Sequence, residues 1–535
     1  MIRGHPHSLA DLVQQKADLS RLPHIGSALA EKIQTLVKTG SLPALEKAKK
    51  RTPIALSALM QLPGLGPKRV RVLYHELGIR SLADLERAAR RGRIRALPGF
   101  GVRTEAKILS ELQTSTGQER RFNRLEAREL AEPLRRFLQR QVGVKRVTIA
   151  GSYRRCRDTV GDLDILVTAK RGSPVIREFV AYDEVRDVVS QGTTRSTVRL
   201  RSGIQVDLRV VPEASYGAAL YYFTGSRAHN IAVRRMALKR GLKINEYGVF
   251  KAEKRVAGRT EESVFASVGL PWIPPELREN RGELTAAAKG NLPQLVQLND
   301  IRGDFHCHTR ASDGHNSIRE MAETARDLGY EYLAISDHSR QVRVAHGLDP
   351  ERLSQQLDDI DRLNDELRDI VILKSCEVDI LKNGSLDLPD KLLARLDLTV
   401  CALHYDLHLP RKQQTERVLK AMQNRYFNIL AHPTGRLINE RPPCDLDMER
   451  ILRAARDQGC YLEVNAQPLR LDLTDEACML AREIGTGVAI GSDAHSADTL
   501  NFMQYGVDQA RRGWLCAQDV LNTRSLQAVR SMLVR

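Results

Sequence analysis

The sequence predicts a multidomain protein built from an all-α N-terminal region, a central α+β core and a C-terminal α/β barrel. Three observations lead there. Residues 8–140 are rich in Leu, Ala, Arg and Lys at helical spacing, with short Gly/Pro turns between the helices. From residue 145, the apolar strands KRVTIAGS and DLDILVTA and the hairpin STVRLRSGIQVDLRVV lead into a helical stretch over 215–242. A polar, Pro-containing connector over 270–300 then gives way, near Asp300, to strand, loop, helix, repeated.

Composition narrows the class. At 535 residues the chain has room for several domains, and 42% hydrophobic residues supply sizeable cores. No run approaches the ~18 apolar residues of a membrane span, so membrane and disordered classes are excluded. The start, MIRGHPHSLADL, lacks the apolar stretch of a secretory signal, which predicts a cytoplasmic protein. Eight Cys with no CxxC pair argue against a disulfide framework and against a Cys-built zinc site.

The net charge of +17 is segregated. Residues 301–535 hold 30 Lys+Arg against 36 Asp+Glu, so residues 1–300 hold 53 against 30, a net of +23. Such a segment condenses on a polyanion through counterion release, which makes nucleic acid the leading partner. Charge spread over exposed helices for solubility is the plainer alternative.

Within the helical region a unit recurs: LPHIGSALAEKI (22–33), LPGLGPKRVRVL (62–73) and LPGFGVRTEAKIL (97–109) share Leu-Pro-x-apolar-Gly followed by a basic helix. In GSYRRCRDTVGDLDILV (151–167), Asp162 and Asp164 stand two apart in a strand, so both carboxylates project from one face. Asp207 lies in a hairpin strand expected to pair alongside. Three convergent carboxylates suit Mg²⁺ or Mn²⁺, and two such ions can clamp the entering and leaving oxygens of a phosphoryl displacement. Gly151 and Ser152 form a turn after a strand, offering N–H groups and a hydroxyl to phosphates, with Arg155 able to neutralise charge. In YYFTGSRAHN (221–230), an aromatic pair before Thr-Gly supplies a flat platform and a close backbone approach; a helix-end core pair with a Gly cap is the alternative.

Nine of the 14 His fall in residues 301–535, most at the ends of apolar strands: DFHCHT, AISDHS, CALHYD, NILAHP and AIGSDAHS. Strand-end imidazoles repeated around a barrel meet at one mouth. Beside Asp313, Glu377 and Asp493 they suit two or three borderline ions such as Mn²⁺, Zn²⁺ or Fe²⁺. Cys307, between His306 and His308, is expected to face away, and His315, His346 and His408 are expected either at the surface or behind the metal ligands as their supports.

The GS turn, DxD strand and third Asp resemble the nucleotidyltransferase superfamily, and YFTGS followed by Asn is similar to the nucleotide-binding motif of family X DNA polymerases. That resemblance implies a palm in which Asp162, Asp164 and Asp207 bind the metals and Asp207 activates the primer 3′-hydroxyl. It implies triphosphate contacts from Ser152, Arg155 and Gly161, a sugar pocket lined by Tyr222, Phe223 and Gly225, and Asn230 near the base. The Leu-Pro repeats resemble helix-hairpin-helix modules, which implies DNA phosphate contacts around Gly64, Gly66 and Lys68 and around Gly99, Gly101 and Arg103. Lys32 matches the family's Schiff-base lysine for a lyase activity, which needs a desolvated amine. His24 replaces the first hairpin glycine, Ala28 stands where a phosphate-binding lysine would be, and the chain begins close upstream, which predicts either a misplaced start or a reduced form of the family's small N-terminal domain.

The C-terminal pattern resembles the polymerase and histidinol phosphatase (PHP) domain, a (βα)7 barrel with a multinuclear centre. All nine of its ligand positions are occupied here: His306, His308, Asp313, His338, Glu377, His404, His432, Asp493 and His495. The resemblances imply residues 1–50 as a reduced N-terminal helix-hairpin-helix domain and 51–140 as a DNA-binding helix-hairpin-helix (fingers) region. Residues 141–212 form the palm, 213–275 the thumb, 276–300 a linker and 301–535 the PHP domain. The implied protein is a monomeric, nucleoid-associated gap-filling DNA polymerase of repair, acting on gapped or nicked duplex with dNTPs. Its fused 3′–5′ exonuclease extends to abasic-site endonuclease or 3′-phosphatase activity. A barrel acting on small phosphoesters, a nucleotidyltransferase for non-DNA substrates and a catalytically dead DNA-end scaffold remain alternatives.

Overall fold

The computed structural model describes residues 27–39, 65–97, 99–101, 104–105, 108, 121–170 and 172–534, with isolated positions at 13, 19 and 59. Met1–Arg120 and Arg121–Arg535 are separate compact units.

In the first unit, α1 (Ser27–Thr39), α2 (Pro67–Leu77) and α3 (Leu82–Arg90) are helices, as their periodicity predicts. Gly66 caps α2 and Pro67 opens it, where a missing N–H costs nothing. Leu65, Val70, Leu73, Ile79, Leu85, Ile94 and Phe100 form one small core. The buried Glu105 carboxylate accepts the Ile94 and Arg95 N–H groups at 2.9 Å and pairs with Arg95 Nε at 2.6 Å, tying the third repeat to the turn before it.

The first helix of the second unit is α4 (Arg124–Gln139), started by an Asn123/Glu126 capping box. Ala127, Ala131, Leu134 and Leu138 pack it against the palm strands. The expected boundary at 140 therefore moves to 120: helical periodicity placed α4 with the helices before it, whereas its apolar face is buried on the sheet. The strands β1 (Val144–Ile149), β2 (Asp162–Ala169), β3 (Val185–Gln191), β4 (Arg195–Leu200) and β5 (Gln205–Val210) form one sheet in the order β1-β2-β5-β4-β3. The β2/β5 pair is parallel, with Asp164 opposite Asp207. Between β1 and β2 lies the one-turn helix α5 (Gly151–Arg154).

The next layer contains α6 (Tyr216–Thr224), α7 (Arg227–Lys239), the three-stranded sheet β6 (Lys243–Asn245), β7 (Gly248–Lys251), β8 (Lys254–Ala257), and α8 (Glu261–Ser267). The expected linker over 276–300 is not a free connector. Leu277, Ala287 and Leu295 are buried in this layer's core, so residues that read as polar loop carry apolar anchors.

Glu261 clamps this layer to the palm. It pairs with Arg154 at 2.7 Å and Arg278 at 2.7 Å and accepts Trp272 Nε1 at 3.1 Å. Burial opposes its charge, but the two guanidinium groups win and lower its carboxyl to about 2. A depressed carboxyl stabilises the fold above its unfolded value of 4.5 and loses that contribution as pH falls toward 2. Glu261→Gln is expected to destabilise this unit by about 3 kcal/mol at neutral pH, because it leaves buried guanidinium charge unpaired. In urea titrations the deficit should shrink below pH 4.5; a pH-independent deficit would sink the ionic account.

The barrel strands are short, apolar and buried on both faces, as parallel strands covered by helices must be. They are β9 (Gly303–Cys307), β10 (Tyr332–Ile335), β11 (Val371–Lys374), β12 (Glu377–Asp379), β13 (Val400–Ala402), β14 (Ile429–Leu430), β15 (Tyr461–Asn465) and β16 (Val488–Gly491). β9 to β11 and β12 to β16 form two parallel sheets. A His338/Glu377 bridge joins them on one side. Asp493 N–H to the His306 carbonyl and His308 N–H to the Ala494 carbonyl, both 2.8 Å, close the other. Since β11 and β12 share one strand position, the expected seven-fold barrel is the one observed.

The outer shell includes α9 (Ile318–Asp327), α10 (Pro350–Glu366), α11 (Arg411–Met422), α12 (Met448–Gln458), α13 (Asp475–Ile484) and α14 (Met503–Arg512). Phe305, Tyr332, Leu373, Val400, Ile429 and Ala489 form a second, separate core with Val529 and Leu533 of the final helix α15 (Leu526–Leu533).

Candidate active sites

In the palm, strand period and parallel pairing bring Asp162, Asp164 and Asp207 to one face, as predicted. Burial first, then the Asp162 and Asp207 charges, push the Asp164 carboxyl up to about 7. That is the signature of carboxylates gathered for a cation. Thr197 Oγ1 at 2.5 Å and Gln205 Nε2 at 2.8 Å donate to the two oxygens of Asp207 and fix its plane. Gly151 has φ +63°, and a side chain there would strike the Asp164 carboxylate, so glycine is required twice over.

The phosphate side is partly as expected. Ser152 Oγ is buried without a protein partner, which fits an incoming phosphate oxygen. Arg155 is already engaged: Nε pairs with Glu279 at 3.0 Å and Nη1 donates to the Thr224 carbonyl at 2.6 Å. Its guanidinium lies against Gly225, where an added Cβ would come within 3.1 Å of Nη1. At Gly161 a side chain would meet the Arg121 guanidinium. Tyr222 and Phe223 are half-buried and pack edge to face at 5.2 Å. Asn230 is buried and donates to the Tyr222 carbonyl at 2.7 Å, leaving Oδ1 unpartnered. It braces the aromatic pair in this structure. Arg209, two residues beyond Asp207, stacks 4.5 Å from the Phe223 ring centre and was not singled out from the sequence.

In the barrel all nine expected ligands meet. His308, Asp313, His338 and His495 form one candidate group, His306, His308 and Asp493 a second, and His338, Glu377 and His404 a third. His432 joins through Glu377 Oε1 at 2.9 Å. Glu377 is the hub, with His404 Nε2 at 3.2 Å from Oε1 and His338 Nδ1 at 2.8 Å from Oε2.

The donor set fits multinuclear metal. His306 Nε2 and His308 Nε2 face each other at 3.2 Å, a contact natural for two lone pairs sharing a cation. His338 Nδ1 and Glu377 Oε2 are close but misaligned, and neither has a hydrogen-bond partner; His308 Nδ1 and His432 Nδ1 are likewise buried and unpartnered. Burial opposes the charges of Glu377 and Asp493, yet the imidazoles hold both well below the usual carboxylate range.

A supporting layer escaped the sequence reading. Glu463 accepts from His306 Nδ1 at 2.7 Å and from the His432 N–H at 2.6 Å, and Asp379 meets His404 Nδ1 at 3.2 Å. Asn465 donates to Asp493 Oδ2 at 3.0 Å. Arg470 Nε lies 3.4 Å from the same oxygen, and its Nη1 is buried without a partner. The available signal was an acidic residue inside a short apolar strand, as in YLEVN. Cys307 points away, as expected: its thiol lies 3.3 Å from the Ala334 carbonyl among the apolar residues of the shell. His315, His346 and His408 are exposed.

In the first unit, Gly66, Gly99 and Gly101 are described; Gly64, Arg103 and His24 lie outside the described residues, as does the side chain of Lys68. Lys32 is exposed on α1.

A carboxylate-bearing nucleotidyltransferase palm and a barrel whose mouth gathers histidines and carboxylates in one chain define a two-centre phosphoryl-transfer enzyme. Family models match in the expected order: SAM-like helix-hairpin-helix tandem (56–114), DNA polymerase beta palm (121–203), DNA polymerase beta thumb (219–279) and PHP domain (304–467). The chain is 38% identical, over 97% of its length and 91% of the relative, to the DNA polymerase/3′-5′ exonuclease PolX of Bacillus subtilis (strain 168). It is 28% identical to a probable phosphatase of Thermoanaerobacter sp. (strain X514) over 41% of this chain and 89% of that one. It is 27% identical to DNA polymerase lambda of Arabidopsis thaliana over 50% of this chain and 54% of that one. The chain belongs to the family X DNA polymerases that carry a C-terminal PHP domain. No helix among the described residues is long and apolar enough to cross a membrane.

Proposed function

We propose that the palm adds nucleotides to a primer 3′ end in gapped or nicked DNA and that the barrel removes them as a 3′–5′ exonuclease. Abasic-site and 3′-phosphate ends are further barrel substrates. The observation that carries the reading is the presence, in one compact unit, of the Asp162/Asp164/Asp207 triad beside the unpartnered Ser152 hydroxyl, together with the Glu377-centred ligand cluster.

In the palm, Asp162, Asp164 and Asp207 hold Mg²⁺ or Mn²⁺, and Asp207, oriented by Thr197 and Gln205, receives the 3′-hydroxyl proton. Ser152, Arg155 and the Gly161 turn bind the triphosphate, and Tyr222, Phe223 and Gly225 line the sugar pocket. In the barrel the nine ligands hold two or three Mn²⁺, Zn²⁺ or Fe²⁺ ions, which supply Lewis acidity toward a phosphodiester. Arg470 turns its unpartnered Nη1 to a phosphate oxygen. The protein is monomeric and cytoplasmic in this reading, and Lys32, exposed, takes no part.

The helix-hairpin-helix unit holds the duplex. At Gly66, φ is −75° and an added Cβ would meet nothing within 4 Å among the described residues, so the fold itself does not demand glycine there. A phosphate approaching the N–H groups would demand it. Gly66→Ala is expected to keep its melting temperature while weakening gapped-duplex affinity about tenfold; unchanged affinity in anisotropy titrations would remove this contact.

The deciding experiment is a gel assay on a one-nucleotide-gapped, 5′-labelled primer with Mn²⁺, with and without dNTPs. Extension with dNTPs and shortening without them is the expected result. Similarity to the probable phosphatase favours a second reading, a barrel for small phosphoesters. Extension without shortening, with hydrolysis of p-nitrophenyl phosphate, would establish it.

A further inference from the structure

We propose that Arg512, on helix α14 of the barrel domain, is a positioning residue for the nucleotide site of the palm. The proposal rests on the reading that Arg155 binds nucleotide phosphate.

Arg512 is almost fully buried. Its Nη1 donates to the Arg155 carbonyl at 2.7 Å and to Glu279 Oε1 at 3.1 Å, while Nη2 pairs with Asp475 at 2.5 Å. Glu279 Oε1 is the same oxygen that accepts Arg155 Nε at 3.0 Å. Asp475 in turn accepts Arg281 Nη1 at 3.1 Å. A chain of alternating charge therefore runs from Arg155 in the palm through Glu279 to Arg512 and Asp475 in the barrel and back to Arg281.

Arg512 touches both ends of Arg155, its backbone directly and its guanidinium through Glu279. With Nε and Nη1 held, Arg155 keeps Nη2 for a phosphate oxygen and lies against Gly225. A long, flexible side chain fixed beforehand in its bound posture forfeits little rotamer entropy when the ligand arrives, so the benefit falls on nucleotide affinity. The planar fork is essential to the relay: a lysine keeps the charge but cannot serve Asp475, Glu279 and the Arg155 carbonyl together. The barrel domain thus completes the nucleotide site of the polymerase, 357 residues away in sequence.

The test uses the full chain on a one-nucleotide-gapped primer. Arg512→Lys is expected to raise the dNTP KM about tenfold with kcat within about twofold. Exonuclease activity without dNTPs should be unchanged, which also shows the barrel is folded. Glu279→Gln should shift KM in the same direction, and the double variant should add little to either single change. Arg155→Lys is the control for the underlying reading. If it leaves the dNTP KM unchanged, the phosphate role of Arg155 fails. If it raises KM while Arg512→Lys does not, the relay alone fails. Loss of both activities together in Arg512→Lys and Glu279→Gln would overturn the proposal in favour of a purely structural ion chain.

Discussion

Asp207→Ala is expected to abolish nucleotide addition, with a loss of roughly a thousandfold or more, about 4 kcal/mol of barrier. The position has no substitute. Asp207 stands opposite Asp164 on the parallel pair, Thr197 and Gln205 fix its carboxylate, and its charge helps push the Asp164 carboxyl up to about 7. Removing it relieves that repulsion, so the palm should remain folded, and the half-buried Gln205 amide can turn to water. Primer shortening should continue at the unaltered rate. Extension measured under single-turnover conditions separates the outcomes: retained synthesis would refute the palm assignment, and joint loss of synthesis and shortening would show that the substitution damages more than one site.

Glu377→Gln is expected to do the reverse. Its two oxygens face His404 and His432 on one side and His338 on the other, so one change weakens the ligand groups that meet there. The amide preserves shape but presents an N–H₂ group where a ligand oxygen stood and removes the charge that the surrounding imidazoles favour. Exonuclease activity should fall by roughly a thousandfold or more, and elemental analysis should show fewer bound ions per chain. Gap filling should persist. A variant with full metal content and full nuclease activity would count against Glu377 as the hub of the centre.

Much of both centres was legible in the sequence because each rests on a local periodicity. Asp162 and Asp164 announce a shared face through their two-residue spacing, and the barrel ligands announce themselves as His or acid at the ends of short apolar runs. Residues that act through another side chain carry no such mark. Glu463, Asp379 and Arg470 are recognised by what they touch, namely His306, His404 and Asp493, and their partners lie up to 157 residues away. The boundary at 140 and the linker over 276–300 moved for a related reason. Helix α4 has the periodicity of the helices before it, yet it buries Ala127, Leu134 and their neighbours on the palm sheet. The polar segment after 276 hides Leu277, Ala287 and Leu295, apolar residues too widely spaced to read as an element.

The sequence by itself determined which groups gather: three carboxylates on the palm sheet, six His and three acids at the barrel mouth, and a basic, glycine-turned helical region, each a consequence of residue type at short spacing. Tertiary structure alone decided how the two centres relate. That Arg155 is held by Glu279, and Glu279 by Arg512 from another domain, follows from packing α14 against the connector, where burial compels each charge to find a partner. No spacing in the chain encodes that partner, because the choice is made by which surfaces exclude water together.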